Sequence, residues 1–169
     1  CAGVCPAFNN LTKLEMLKFS WLHGGIWGTE LKWPPTLKKL TLSNGYIYDL
    51  DHVATHPGLV VLKLLHITIR SEVWKVKDEQ FSHLKFLKIQ HPSFSKWNVS
   101  DDAFPCLEHL VLRRLQHLEE IPARFADVLT LKSIEVTACK ESLVESAKVI
   151  RETQVEEMQN SDFNLFIQK

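Results

Sequence analysis

This chain of 169 residues carries no excess charge of either sign, no long apolar run and few cysteines, and each shortage narrows what it can be. Its 20 basic residues are matched by 20 acidic ones, for a formal net charge of zero. No overall field therefore draws it to nucleic acid or to an anionic membrane, although a local patch can still exist. With no recognised nucleic-acid motif, a nucleic-acid partner is not expected. The longest apolar stretches, such as Leu59–Leu65, fall far short of the ~20 residues that cross a bilayer, so no membrane span is expected. Four cysteines, Cys1, Cys5, Cys106 and Cys139, make no disulfide framework and are few for a secreted scaffold. Reduced thiols in a cytoplasmic setting are the expectation. The opening Cys1–Pro6 stretch has neither the basic start nor the apolar segment of a secretory signal, and no Met begins it. The chain is therefore read as a piece of a larger protein, itself expected to be monomeric.

Catalytic signatures are missing too. There is no glycine-rich phosphate loop, so no nucleotide is expected on this segment. His23-Gly24-Gly25 has no G-x-S-x-G nucleophile turn to serve and reads as a plain loop. Cys106 and His109 have a ligand-like gap, but no second pair completes a zinc set, and Cys106 falls just before a core leucine. Eight histidines lie scattered without an acid or nucleophile pattern. Neither an enzyme nor a metal site is expected.

What is present is a period. The spacing apolar-x-x-apolar-x-apolar occurs at Leu14/Leu17/Phe19, Leu37/Leu40/Leu42, Leu59/Leu62/Leu64, Leu84/Leu87/Ile89, Leu107/Leu110/Leu112 and Leu131/Ile134/Val136. Successive units lie 22 to 25 residues apart, the period of leucine-rich repeats. The last two members of each triplet are two residues apart and share one face of a strand. One unit cannot bury that face alone, but stacked units can. The sequence thus predicts an α/β leucine-rich-repeat solenoid of about six units over residues 1–140. It should be a right-handed superhelix with parallel strands on the concave face and irregular or helical returns on the convex side. Leu11, Phe81, Phe104 and Val128, three residues before their triplets, are expected to add a convex-side core column, which Pro34 and His56 interrupt. His23–Gly28 and Asn98–Asp102 read as loops.

The residues alternating with the core pairs should line the concave face. Among them, Lys18, Lys39, Val61, Lys63, Leu65, Phe86, Lys88, His109, Val111 and Arg113 form the candidate partner-binding set. Apolar groups ringed by cations are what a patch for an acidic protein surface looks like. Of the five tryptophans, Trp21 is placed to be exposed, while the others could be interface anchors or lie buried beneath loops.

After Cys139 the pattern changes, and residues 141–169 are expected to cap the solenoid. Ser142 and Glu145 fit a capping box. Leu143, Ala147, Ile150 and Met158 share a helical face from about 142 to 158. Asn160–Asp162 should turn the chain, and Phe163–Ile167 is a short strand candidate.

Three stretches carry a family likeness. They are Trp33-Pro34-Pro35-Thr36-Leu37-Lys38-Lys39-Leu40, then Phe104-Pro105-Cys106-Leu107-Glu108-His109-Leu110 with Leu118-Glu119-Glu120-Ile121-Pro122, and Leu131-Lys132-Ser133-Ile134-Glu135-Val136 through Cys139 to the acidic tail helix. Together they resemble the C-terminal repeats of plant coiled-coil, nucleotide-binding, leucine-rich-repeat disease-resistance proteins of the late-blight-resistance type. The resemblance implies an intracellular immune receptor whose repeats recognise a pathogen effector or a guarded host protein. It further implies that they restrain the receptor's own nucleotide-binding module, where ADP or ATP would bind, until defence and cell death are triggered. The chain departs from the family's repeat at the Asn/Cys position, which holds Leu22, Gly45, Ile67, Pro92 and Leu115, with Cys139 alone matching. Two other binding readings stay open: the substrate-recognition repeats of an F-box-type ubiquitin-ligase adaptor, and an extracellular receptor ectodomain.

Overall fold

Alternation of leucine with polar residues gives each triplet one dry face and one wet one, and the chain folds accordingly. The computed structural model describes residues 8, 10–21, 26–27 and 32–169, with the backbone alone at 26–27. In chain order the strands are β1 (Met16–Ser20), β2 (Ile26–Trp27), β3 (Lys39–Ser43), β4 (Tyr46–Ile47), β5 (Val61–Leu65) and β6 (Thr68–Ile69). They continue with β7 (Val73–Val76), β8 (Phe86–Gln90), β9 (Lys96–Val99), β10 (His109–Arg113), β11 (Ser133–Thr137) and β12 (Asn164–Gln168). Helical pieces are α1 (Asp51–Ala54), a 3₁₀ turn at Ala123–Asp127, and α2 (Glu141–Glu152), which runs on as a π-helical turn over Thr153–Glu157.

Seven strands form one parallel sheet in the order β1-β3-β5-β8-β10-β11-β12. Its register sets equivalent repeat positions side by side: Leu17, Leu40, Leu62, Leu87, Leu110, Ile134 and Leu165 form one row. The chain is a leucine-rich-repeat solenoid with a C-terminal helix. From Leu37 onward every triplet member is buried. Leu14, Leu17 and Phe19 are half-buried, because among the described residues β1 is an outer strand with a neighbour on one side only.

The turn out of each inner strand repeats as well. Asn44, His66, His91, Arg114 and Ala138 follow their strands directly and hold φ of 56, 55, 49, 54 and 50°. This left-handed conformation costs a non-glycine residue about 1–2 kcal/mol. Here it carries an extra rung: their N–H groups donate to the carbonyls of Leu65, Gln90, Arg113, Thr137 and Gln168 on the next turn. Gly45 follows the first of these turns. A Cβ there would lie 2.3 Å from Cε3 of Trp21, so glycine makes room for the indole. Trp21 is half-buried against it and meets Phe19 edge-on at 4.9 Å, rather than standing exposed.

The returns make smaller parallel sheets, β2-β4-β6 and β7-β9, and an aromatic spine. Trp74 and Trp97 are register partners with rings stacked at 5.0 Å, and Phe81 and Phe104 stack at 4.9 Å. Phe125 continues the column against Trp97 and Phe104. Trp33, Trp74 and Trp97 are thus buried.

Several expectations change in detail. Leu11 is 47% exposed and contributes nothing to the convex column, whereas Phe81, Phe104 and Val128 fill it. Pro34 and His56 do not simply break that column. Pro34 is buried, and Gly58 N–H donates to His56 Nδ1, which leaves Nε2 to donate to the Pro34 carbonyl at 2.9 Å. Asn98 and Val99 lie in a strand, paired with Lys75 and Val76, so the loop begins only at Ser100. Ile26–Trp27 is likewise a short strand; His23–Gly25, Gly28, Leu22, Cys1 and Cys5 lie outside the described residues.

In the tail, α2 begins at Glu141 with Lys140 as its N-cap and no side-chain cap, so the capping box does not form. Ser142 Oγ donates instead to the Glu119 carbonyl of the preceding turn at 2.7 Å, and Glu145 binds Lys148. α2 buries Leu143, Val144, Ala147 and Ile150 on the route from β11 to β12. Gln154 was not foreseen. It is fully buried, and its amide donates to the carbonyls of Phe125, Ala126 and Val128 while its oxygen accepts from Asn160. It stitches the helix end to the 3₁₀ turn.

Leu62→Ala should cost roughly 2–5 kcal/mol in a denaturant melt, as for other buried leucine truncations. Gln154→Leu keeps the volume but takes the side-chain donor from the Phe125 and Ala126 carbonyls, while the Val128 carbonyl keeps the Leu131 N–H. It should cost about 1–3 kcal/mol for each group left without a donor or water. A melt within about 0.5 kcal/mol of the parent would contradict either placement.

Candidate partner-binding face

Strand alternation turns residues 16, 18 and 20 of β1, and their equivalents, away from the core. The structure brings all ten candidate residues onto that one face, on β1, β3, β5, β8 and β10. Lys18 and Lys39 are exposed. Val61, Lys63, Leu65, Phe86, Lys88, His109 and Arg113 are half-buried. Val111 departs from expectation. It is only 9% exposed, flanked in register by the long side chains of Lys88 and Glu135, and so is floor rather than contact surface.

The middle column runs Lys18, Thr41, Lys63, Lys88, Val111, Glu135 and Phe166 across the sheet. Its one acid is already engaged: the Arg113 guanidinium donates to Glu135 Oε1 at 2.5 Å, and the Thr137 hydroxyl adds a bond at 3.3 Å. Lys18, Lys39, Lys63 and Lys88 make no salt bridge among the described residues. Lys63 Nζ sits 5.6 Å from the Phe86 ring centre, a cation–π contact. Burial, with Arg113 and Lys63 nearby, pulls the Lys88 ammonium below the usual lysine range. Adding a carboxylate from outside would relieve that repulsion. A hollow of about 340 Å³ opens at one end of the face, with Met16, Val61 and Phe86 between Lys18, Lys39 and Lys63. Phe166, 58% exposed on β12, extends the apolar content at the far edge, and sequence reading missed its place in this column. Five residues of β12 follow no regular triplet, so no period pointed to it.

No cluster of three or more His, Cys, Asp or Glu side chains among the described residues could hold a metal. Cys106 is a free, half-buried thiol. The Cys139 sulfur lies 3.3 Å from the Thr137 carbonyl and accepts the Leu115 N–H at 3.5 Å. Burial pushes its thiol pKa up, which suits a structural group.

No protein-family model matches the chain. Individual relatives do. The late blight resistance protein homolog R1B-23 of Solanum demissum is 49% identical over 137 residues, 79% of this chain. Homolog R1B-13 of the same plant is 47% identical over 140 residues, 80% of the chain. This chain is a leucine-rich-repeat segment of the late-blight-resistance type. It spans 11% and 12% of the length of those two relatives. None of the helices among its described residues is long and apolar enough to cross a membrane.

The repeat segment also carries a charge ladder that sequence reading did not assemble. Its members stand one residue before β1, β3, β8, β10 and β11, at Glu15, Lys38, Lys85, Glu108 and Lys132, with Val60 interrupting the series before β5. The carbonyls of the first four accept paired N–H groups from the next turn, as Glu108 O does from Lys132 and Ser133, and Lys132 O accepts the Asn164 N–H. Their side chains pair across turns: Lys38 with Glu15 at 2.7 Å, and Glu108 with Lys85 at 2.9 Å and Lys132 at 2.5 Å. Charged residues recurring at the repeat period, with Val60 the one gap, were the available signal.

Hydrogen bonds from Lys132 and then Lys85 hold the Glu108 carboxyl down at about 2. A carboxyl lowered on folding stabilises above its unfolded value, near 4.5, and loses that contribution as pH falls through about 2. The stability difference between the parent and Glu108→Gln should therefore be largest at and above pH 4.5, and shrink toward zero as the pH drops toward 2 in thermal melts. A difference that stays constant with pH would show that the ladder does not act through the Glu108 charge.

Proposed function

We propose that this chain is the protein-binding repeat domain of an intracellular plant immune receptor, and that it binds through the basic face of the main sheet. The observation that carries this reading is the set of four lysines without ion pairs among the described residues, Lys18, Lys39, Lys63 and Lys88, beside the half-buried Val61, Leu65 and Phe86. Likeness to late blight resistance homologs supplies the setting. The partner is an acidic surface, on a pathogen effector, a guarded host protein or the receptor's own nucleotide-binding module. Contact with that module would restrain its ATPase switch, with ADP or ATP held there and not on this chain. A cytoplasmic location fits the free thiols of Cys106 and Cys139. Binding rather than catalysis is the activity, and residues 141–169 are read as the cap that closes residues 1–140, the whole acting as a monomer.

The concave cations give the test. Lys63→Glu with Lys88→Glu should lower co-precipitation of the nucleotide-binding module or of an acidic effector by at least tenfold, while the melting profile holds. Rim-type charges act chiefly on association rate, so the loss should also shrink at high salt. Unchanged capture by the folded double variant would refute the basic face as the contact surface.

A further inference from the structure

The Leu118–Pro122 stretch, singled out by its sequence, plays no part in the sheet face. It forms one wall of a groove of about 630 Å³ whose other wall is α2. The walls are fixed by hydrogen bonds. Ser142 Oγ donates to the Glu119 carbonyl, and the Ile121 N–H donates to Ser146 Oγ at 2.9 Å. The groove is thus preformed, and its volume lies in the range of ordinary binding clefts. Its floor is apolar: Ile121, Ala126 and Ile150 are at most 9% exposed. Val149 stands on the α2 wall at 60% exposure, an aliphatic side chain on an otherwise polar helix face. The rim is acidic. Glu119, Glu120 and Glu145 face a single cation of the lining, Lys140. Glu145 is bound to Lys148, but Glu119 and Glu120 make no ion pair among the described residues.

We propose that this groove is a second docking site, independent of the sheet face, for a basic amphipathic helix. Aliphatic side chains on one face of that helix would enter against Ile121, Val149 and Ile150, and flanking Lys or Arg would meet Glu119 and Glu120. Charge complementarity selects this occupant. Two unpaired carboxylates beside an apolar floor repel an anionic lipid surface and an acidic segment alike. An amphipathic helix laid in a groove with anchors one turn apart is a recurrent mode of recognition.

The test uses the 169-residue chain and two synthetic helical peptides. One carries leucines on a single face flanked by lysines; the other has glutamates in place of the lysines. Titration followed by amide chemical shifts should give saturable binding of the first, with shifts at Ala123, Val149 and Thr153, and at least tenfold weaker binding of the second. Val149→Asp, and separately Glu119→Lys with Glu120→Lys, should each weaken the first peptide at least tenfold. All three positions are exposed, so the fold should survive, and the charge pair answers the question should Val149→Asp not fold. Lys63→Glu should leave this binding unchanged, which separates the groove from the sheet face. Equal affinity for both peptides, shifts confined to the main sheet, or capture of anionic vesicles in place of the basic peptide would each overturn the proposal.

Discussion

The backbone rungs between turns are what the rest of the structure hangs on. No turn of this chain owns a complete core. Leu62 and Leu64 are dry because β3 lies on one side of β5 and β8 on the other, each bringing its own leucine pair into line. That requires every turn to enter the sheet at the same height. The entry is fixed by carbonyls such as those of Lys38, Lys85 and Glu108, each taking two N–H groups from the next turn. The exit is fixed by the left-handed residues, whose N–H groups add one rung beyond the strand. Between these two clamps a slip of one residue would send the whole leucine set to the wet face.

This constraint also sorts the charges. Positions before the strands project side chains at the sheet margin, where alternate sign from turn to turn is favourable, and there Glu15 meets Lys38 and Glu108 meets Lys85 and Lys132. On the open face the same spacing sets Lys63 next to Lys88 with no acid to separate them. Two unit charges about 5 Å apart in water repel by under about 1 kcal/mol, which the fold tolerates. The fold thus concentrates positive charge on the sheet of a chain whose overall charge is zero, while acidic groups gather around α2 and the Leu118–Pro122 stretch. Two surfaces of opposite character result.

The period of the triplets was enough to locate β1, β3, β5, β8, β10 and β11 and to name the residues on each side of them. All ten candidate binding residues lie on one face because alternation within a strand is a local property. Val111 was misjudged because exposure depends on the neighbours across the sheet, Lys88 and Glu135, and not on alternation alone. The capping box failed for a similar reason. Ser142 and Glu145 have the right spacing, but the Glu119 carbonyl and Lys148 are better placed to take their side chains.

What the sequence by itself determined is the repeat: its phase, its strand faces and the basic character of the open face. These follow from spacing along the chain, which no tertiary contact alters. The tertiary structure decided what happens between strands. It paired Trp74 with Trp97, placed Trp21 over Gly45, buried Gln154 among three carbonyls of the preceding return, and shaped the groove beneath Val149. Those features join residues from different turns through returns of unequal length and no fixed pattern, so only the folded chain brings them together.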